Sequence, residues 1–322
     1  MRSNDFIKFG KSLVIFIIVM VTVDYVIGFS LEKLYFSLKR GQFAQTTFSI
    51  DSTNQDVIIF GSSRALHHYS SPIMAEKLGT NLYNAGRDGQ FIPYYCALQD
   101  AILKRKIPKL IILDVNVWEI APNDEKYEKL SMLLPYIHNH PEFLKYIKEI
   151  SEWEHIKLFS KTYPYNSTVF VSLHDFLFSE SLPKDDNGYF PLDRTMSLGD
   201  FNNYKAKKII YDAKREKMKV PFDTKAIEYY DYFLKQVDSL RIPTYVVISP
   251  TILKEPSTKE KLLIERMAKS HKYVRFLDYS SDPEYNNQYQ KFADEFHLNT
   301  QGATEFSYEI SDYINNDKTS FK

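Results

Sequence analysis

Two stretches far apart in the chain carry residue types that can do chemistry together. The first is Val57-Ile58-Ile59-Phe60-Gly61-Ser62-Ser63-Arg64, four apolar, β-favouring residues running straight into Gly-Ser-Ser. The second is Asp294-Glu295-Phe296-His297-Leu298-Asn299. A serine hydroxyl is a weak nucleophile until a base takes its proton. A histidine base in turn needs a carboxylate to fix its tautomer and direction. Asp294 and His297 offer both from one tight segment. The plain alternative is that Ser62 and Ser63 cap a helix while Asp294 and Asn299 form an ordinary turn. His67 and His68 project from the segment that holds Ser63 and read as structural rather than basic.

These side chains need a scaffold. A short continuous apolar run bounded by a turn signal reads as a buried strand of a parallel sheet. Ligands of such sheets bind beyond the carboxyl ends of the strands. Residues 56–61 give the first strand. Leu82-Tyr83-Asn84 gives the second, followed by the glycine loop Ala85-Gly86-Arg87-Asp88-Gly89-Gln90. A glycine there lets backbone approach a ligand and offer an N–H to an oxyanion. Leu110-Ile111-Ile112-Leu113-Asp114-Val115-Asn116 is the third strand and ends in polar residues. Asn116 either closes that strand as a turn residue or points its amide at the site; taken alone, the turn role is favoured. Residues 243–250 and 274–279 give strands four and five. Helices are expected over 72–79, 91–106, 225–240, 257–271 and 302–314. Along the helix 225–240, Ile227, Tyr230, Phe233, Leu234 and Val237 share a buried face. The rhythm predicts a three-layer α/β/α sheet of parallel strands.

Between strands three and four, residues 120–222 lose this rhythm. They are rich in Tyr, Phe, His and Lys and include the turn-like stretch Pro183-Lys184-Asp185-Asp186-Asn187-Gly188. They read as a mainly helical insertion over the strand ends, of the kind that serves as a lid or recognition element. The tyrosines and Trp153 can stack on a sugar, although core packing is the default. His138, His140, His155 and His174 lack the spacing of a zinc motif. No metal or cofactor is expected.

The 322 residues suit one large α/β domain or two small ones. Lys plus Arg equals Asp plus Glu at 41 each, so no basic surface excess points to nucleic acid. Cys96 stands alone, so an intramolecular disulfide is impossible.

Residues 13–23, Leu-Val-Ile-Phe-Ile-Ile-Val-Met-Val-Thr-Val, are the most apolar run and extend to Phe29 if Asp24 is tolerated near one end. That length meets the lower limit of ~17 residues for a spanning helix. Arg2, Lys8 and Lys11 precede it, which places the amino terminus in the cytoplasm and the rest outside. No small-x-small cleavage site follows, so an uncleaved anchor is expected rather than a signal peptide. Asp24 either is an interfacial residue or pairs within a membrane complex; its place near the outer end favours the first. The expected organisation is an anchor at 1–30, a juxtamembrane connector at 31–55, and an α/β domain at 56–322.

In these blocks the chain resembles the SGNH, or GDSL-type, hydrolase superfamily. Gly61-Ser62-Ser63 resembles its first block, with Ser63 as nucleophile and Ser62 in place of the usual Asp. Asn84-Ala85-Gly86-Arg87-Asp88-Gly89 resembles the second, with Gly89 at the functional position. Asp114-Val115-Asn116-Val117 keeps only the Asn of the third block. Asp294-Glu295-Phe296-His297 matches the final Asp-x-x-His, and Leu298-Asn299-x-x-Gly302-Ala303 continues in the same style. The resemblance covers 57–116 and 225–315. It implies a flavodoxin-like fold, a Ser63–His297–Asp294 triad, and an oxyanion hole of Ser63, Gly89 and Asn116. The Gly-Ser-Ser variant behind an amino-terminal anchor looks like the DltD-like branch, which also includes relatives of alginate acetylation proteins. That branch implies acyl chemistry on envelope polysaccharide or a related polymer, by hydrolysis or by transfer, beside a membrane-bound O-acyltransferase. The alternative is a catalytically inactive scaffold that binds such a polymer or membrane partner.

Overall fold

The computed structural model describes residues 3–123, 125–182, 186–217 and 221–317. Arg2, residues 183–185 of the turn-like stretch and the tail beyond 317 lie outside them. The chain divides into two compact units, one of residues 1–44 with 127–184 and one of 45–126 with 185–322.

The second unit is built on a five-stranded sheet of β1 (Val57–Phe60), β2 (Leu82–Asn84), β3 (Leu110–Asp114), β4 (Thr244–Ile248) and β5 (Val274–Asp278). Every neighbouring pair is parallel, in the order β2-β1-β3-β4-β5. This is the flavodoxin-like order. Register aligns Val57 with both Leu82 and Leu110, so the carboxyl ends of the first three strands finish side by side. Central strands read as unbroken apolar runs because both faces are covered. On one face Val57, Ile59, Leu110, Ile112, Tyr245 and Val247 join Met74, Phe306, Ile310 and Ile314 in one buried cluster. Those partners come from the helices Ser71–Leu78 and Thr300–Asp317. On the other face Phe60 meets Phe233 edge-on at 5.4 Å. Phe233 belongs to helix Thr224–Ser239, which packs on helix Ile92–Leu103. The alternation of side chains along each strand thus makes two apolar layers and three tiers.

The helices stop where their cap chemistry says. Gly79 closes Ser71–Leu78 in the left-handed region at φ 62°. Asp223 accepts from Ala226 N at the start of Thr224–Ser239, and Thr258 accepts from Lys261 N at the start of Lys259–Lys269. Residues 186–189 of the turn-like stretch form a tight antiparallel turn, Asp186 bridging Tyr189.

The residues read as one insertion are divided between the units: 127–184 belong to the first and 185 onward to the second. In the first unit they form short helices, Leu144–Ile147, Glu154–Lys157 and Val169–Leu177, with 3₁₀ turns between. The amino-terminal helix is longer than the 1–30 expected, running Ser3–Ser37. Its stretch Asp5–Ser37 is long and apolar enough to cross a membrane. Its carboxyl end is held by aromatic packing: Tyr35 lies 5.9 Å from both the Tyr136 and Tyr165 rings and shares a 3.1 Å hydroxyl contact with Tyr136. Asp24 is more than an interfacial residue. Its carboxylate accepts from Ser160 Oγ at 2.7 Å, Lys161 N at 2.6 Å and Thr162 N at 3.3 Å. Those partners are more than 130 positions away, beyond the reach of a local reading.

Candidate active site

Strand β1 delivers the first half of the site. Gly61 follows it at φ 151°, a value open to glycine, and a Cβ there would press on Ala65 Cβ at 2.7 Å and Asp114 O at 2.9 Å. The chain then turns directly into the helix Ser63–His68, with Ser63 as its first residue. Ser62 sits at the cap position but makes no side-chain cap bond. Its hydroxyl instead interacts with Tyr95 of helix Ile92–Leu103. The two adjacent serines are therefore separated in role by direction, and only Ser63 meets the histidine.

The second half comes from a loop pinched by an antiparallel bridge between Phe292 and Leu298. Asp294 Oδ1 accepts from Phe296 N at 2.8 Å and His297 N at 3.0 Å. This Asx turn folds the carboxylate back onto its own histidine. His297 Nδ1 lies 2.9 and 3.0 Å from the two Asp294 oxygens. His297 Nε2 lies 2.7 Å from Ser63 Oγ. The turn reading and the triad reading of Asp294 thus describe one geometry. Asn299 does a separate job: its Oδ1 accepts from Gly302 N at 3.0 Å and starts the helix Thr300–Asp317. Burial works to raise the Asp294 carboxyl, but the His297 bond and charge and the two N–H bonds outweigh it, so its pKa lies below the ordinary range.

Such an arrangement can take the proton from the serine hydroxyl through Nε2 while the carboxylate holds the Nδ1–H tautomer. Gly89 follows β2 at φ 65° and Asn116 follows β3, so both occupy loops at the same ends of strands adjacent to β1. Asn116 Oδ1 accepts from Trp118 N at 2.8 Å and caps a short 3₁₀ turn. The turn role is real, and it leaves Nδ2 as the remaining donor of that amide. A cavity of about 250 Å³ lined by Val57, Leu110, Tyr245 and Ile314 lies at the opposite, amino-terminal ends of the strands and touches none of these residues.

Several supporting contacts escaped the sequence reading. His68 is fully buried; its Nε2 accepts from Leu298 N at 3.0 Å and its Nδ1 lies 3.0 Å from Ser249 Oγ. Since an amide N–H only donates, His68 is the neutral Nδ1–H tautomer. Burial first, then the Arg64 charge, holds its pKa well below the usual histidine value. Arg64 donates from Nε at 3.0 Å and Nη2 at 2.8 Å to the same Ser249 hydroxyl. Asp114, buried at the end of β3, accepts from Tyr69 Oη at 2.7 Å and lies 4.0 Å from Arg64 Nε. His67 meets the His297 ring edge-on at 5.2 Å, donates from Nδ1 to Phe190 O at 2.7 Å, and reaches Asp88 with Nε2 at 3.3 Å. The reading of His67 and His68 as structural holds, and their structural work is done around His297.

Glu119 ties the loops after β2 and β3 together. Its Oε2 accepts from Ile92 N at 2.9 Å, and Tyr95 Oη lies 3.2 Å from its Oε1 and 2.8 Å from Gln90 O. Burial pushes the Glu119 carboxyl up to about 7 despite those donors. The one signal in sequence was that the third strand ends in polar residues, Asp114 among them, after an otherwise apolar run.

No family model matches the chain, and no curated protein matches it. Among solved structures, one from Streptococcus pneumonia, of a protein provisionally named a platelet activating factor, aligns over 94% of this chain and 99% of its own. The identity is 10% and the TM-score 0.34, a likeness too distant to carry an argument.

Proposed function

We propose that this chain is an SGNH-type serine esterase or O-acyltransferase that works through an acyl-enzyme on Ser63. The observation that carries the reading is the continuous contact from Ser63 Oγ through His297 to Asp294, 2.7 Å at the serine and 2.9 Å at the carboxylate. Ser63 Oγ attacks an ester carbonyl while His297 Nε2 takes its proton. The same proton goes to the leaving alkoxide, and Asp294 stabilises the imidazolium between the two transfers. The Ser63 N–H, the Gly89 N–H and Asn116 Nδ2 are the donors assigned to the developing oxyanion; losing one such donor costs ~100- to 1,000-fold in rate. Water resolves the acyl-enzyme in an esterase, and a sugar hydroxyl resolves it in a transferase.

The substrate class follows from the resemblance to the DltD-like branch together with the amino-terminal helix. It is the acyl group of an envelope polysaccharide or related polymer, handled outside the cytoplasm by an enzyme tethered at the membrane, with a membrane-bound O-acyltransferase as partner. A fluorophosphonate probe tests the chemistry. Wild-type protein should be labelled covalently, Ser63→Ala should not, and Ser62→Ala should. Absence of labelling in folded wild-type protein would favour the inactive scaffold instead.

A further inference from the structure

Helix Val169–Leu177 in the first unit has its polarity reversed. The positions it buries, beginning with the residue before it, are Thr168, Ser172 and Asp175, spaced at helical intervals. The positions it exposes include Phe170 at 86%, Leu173 at 45%, Phe176 at 54% and Leu177 at 61%. In water a helix turns its apolar stripe inward. In the same unit, Trp153 and Phe159 are 64% and 79% exposed. Exposed apolar residues in such number mark an interaction face.

The amino-terminal helix says what covers that face. Residues 160–182 follow it from its apolar middle to its polar end. Ser160 and Thr162 bond Asp24. Lys161 packs against Gly28 and pairs with Glu32 at 2.9 Å. Tyr165 packs on Tyr35, and Arg40 donates to Ser179 O and Glu180 O at 3.2 Å. Helix Val169–Leu177 itself contacts the amino-terminal helix. The apolar run ends just before Glu32, eight residues after Asp24, which is about 12 Å along the axis at 1.5 Å per residue. Residues 160–162 are therefore fastened to a level inside the apolar run. Interfacial helices bury their apolar face about 5–10 Å into the boundary between headgroups and acyl chains.

We propose that the apolar face made by Trp153, Ile156, Phe159, Phe170, Leu173 and Phe176 is immersed in the lipid bilayer beside the amino-terminal helix. The inference rests on reading that helix as a membrane span. Lipid is the occupant because helix Val169–Leu177 packs against a helix long and apolar enough to cross a membrane. Two carboxylates are turned inward: Asp24 onto residues 160–162, and Asp175 onto the side of helix Val169–Leu177 that the unit buries, while the exposed His174 pairs with Asp175 at 3.1 Å. Lys157, half-exposed and paired with Glu154 at 2.6 Å, can carry its ammonium up to the headgroups on its aliphatic stem.

The test uses the full chain in phosphatidylethanolamine–phosphatidylglycerol vesicles with brominated acyl chains. The chain has two tryptophans, so Trp118→Phe leaves Trp153 as the sole reporter. A second reporter, Phe170→Trp in a Trp118→Phe, Trp153→Phe background, sits at a position with little packing to lose. Both reporters should lose most of their emission to bromolipid, shift to the blue, and resist aqueous iodide. Protein that floats with the vesicles while both reporters ignore bromolipid and respond fully to iodide would overturn the proposal with the span intact, and would assign the face to a protein partner. Protein that fails to float with the vesicles would overturn the span, and the proposal with it.

Discussion

Leu298 donates its backbone N–H to Nε2 of His68 across 3.0 Å, one residue beyond His297. His68 in turn is fixed through Nδ1 to Ser249 at the end of β4. The histidine facing Ser63 is thus held from the sheet through a second, buried histidine. The consequence is a positioning role for His68. His68→Ala should lower the rate of acyl-enzyme formation by roughly 10- to 100-fold, the scale of a small misplacement of a reacting group. KM should change little, and His68→Gln, which keeps an acceptor, should recover part of the loss. An equal fall in kcat/KM for both variants, carried by KM, would contradict this role. The pH sign is also set. The folded state holds His68 neutral well below the usual histidine pKa, while the unfolded chain protonates it near 6.5. Stability from this site is present above about pH 6.5 and falls as pH drops through and below it.

Glu119 has the opposite sign. Burial pushes its carboxyl up to about 7 in the fold, against an ordinary glutamate value of 4.5. Between those values the folded state keeps a proton that the unfolded chain has lost, so stability falls as pH rises through this window. Glu119→Gln keeps an oxygen for Ile92 N and removes the titration. Relative to wild type it should gain stability from pH 5 to pH 8, by up to about 3 kcal/mol. Melting curves in detergent at the two pH values measure it; a difference that does not change with pH would refute the assignment.

The strands were legible because both faces of a parallel sheet are covered, which makes Val57–Phe60 and Leu110–Leu113 unbroken apolar runs. The Asp294–His297 pair was legible because three residues of an Asx turn suffice to bring a carboxylate onto its own imidazole. Contacts with no local signature were not legible. His68 and Leu298 are 230 positions apart, and nothing in either neighbourhood announces the other. Asp24 looked like an interfacial residue because its partners at 160–162 sit in a stretch without regular rhythm. Asn116 was ambiguous for a physical reason: one amide has an acceptor and donors, and capping the Trp118 turn uses only the acceptor.

Membrane topology gives a prediction of its own. Lys8 and Lys11 precede the apolar run, and positive charges stay on the cytoplasmic side. Protease added to intact spheroplasts should degrade the chain beyond about position 40, leaving a small membrane-held fragment. Full protection until the cells are lysed would reverse the orientation.

The sharpest prediction concerns the two neighbouring serines. Ser63 Oγ lies 2.7 Å from His297 Nε2, while the Ser62 hydroxyl is engaged with Tyr95. Ser63→Ala and His297→Ala should each abolish covalent labelling and ester turnover. The double variant should be little worse than either alone, because a nucleophile and its base act as a unit and removing one disables the other. Asp294→Asn should keep the fold and lose roughly 10³- to 10⁴-fold in kcat, since an amide no longer holds the Nδ1–H tautomer. Ser62→Ala removes a hydroxyl from Tyr95 and should retain most activity. Single-turnover kinetics with a chromogenic ester resolves the five variants. Strict additivity of Ser63→Ala and His297→Ala would show that the two residues do not share one proton. Labelling that survives Ser63→Ala but vanishes in Ser62→Ala would move the nucleophile by one residue and break the geometry on which the mechanism stands.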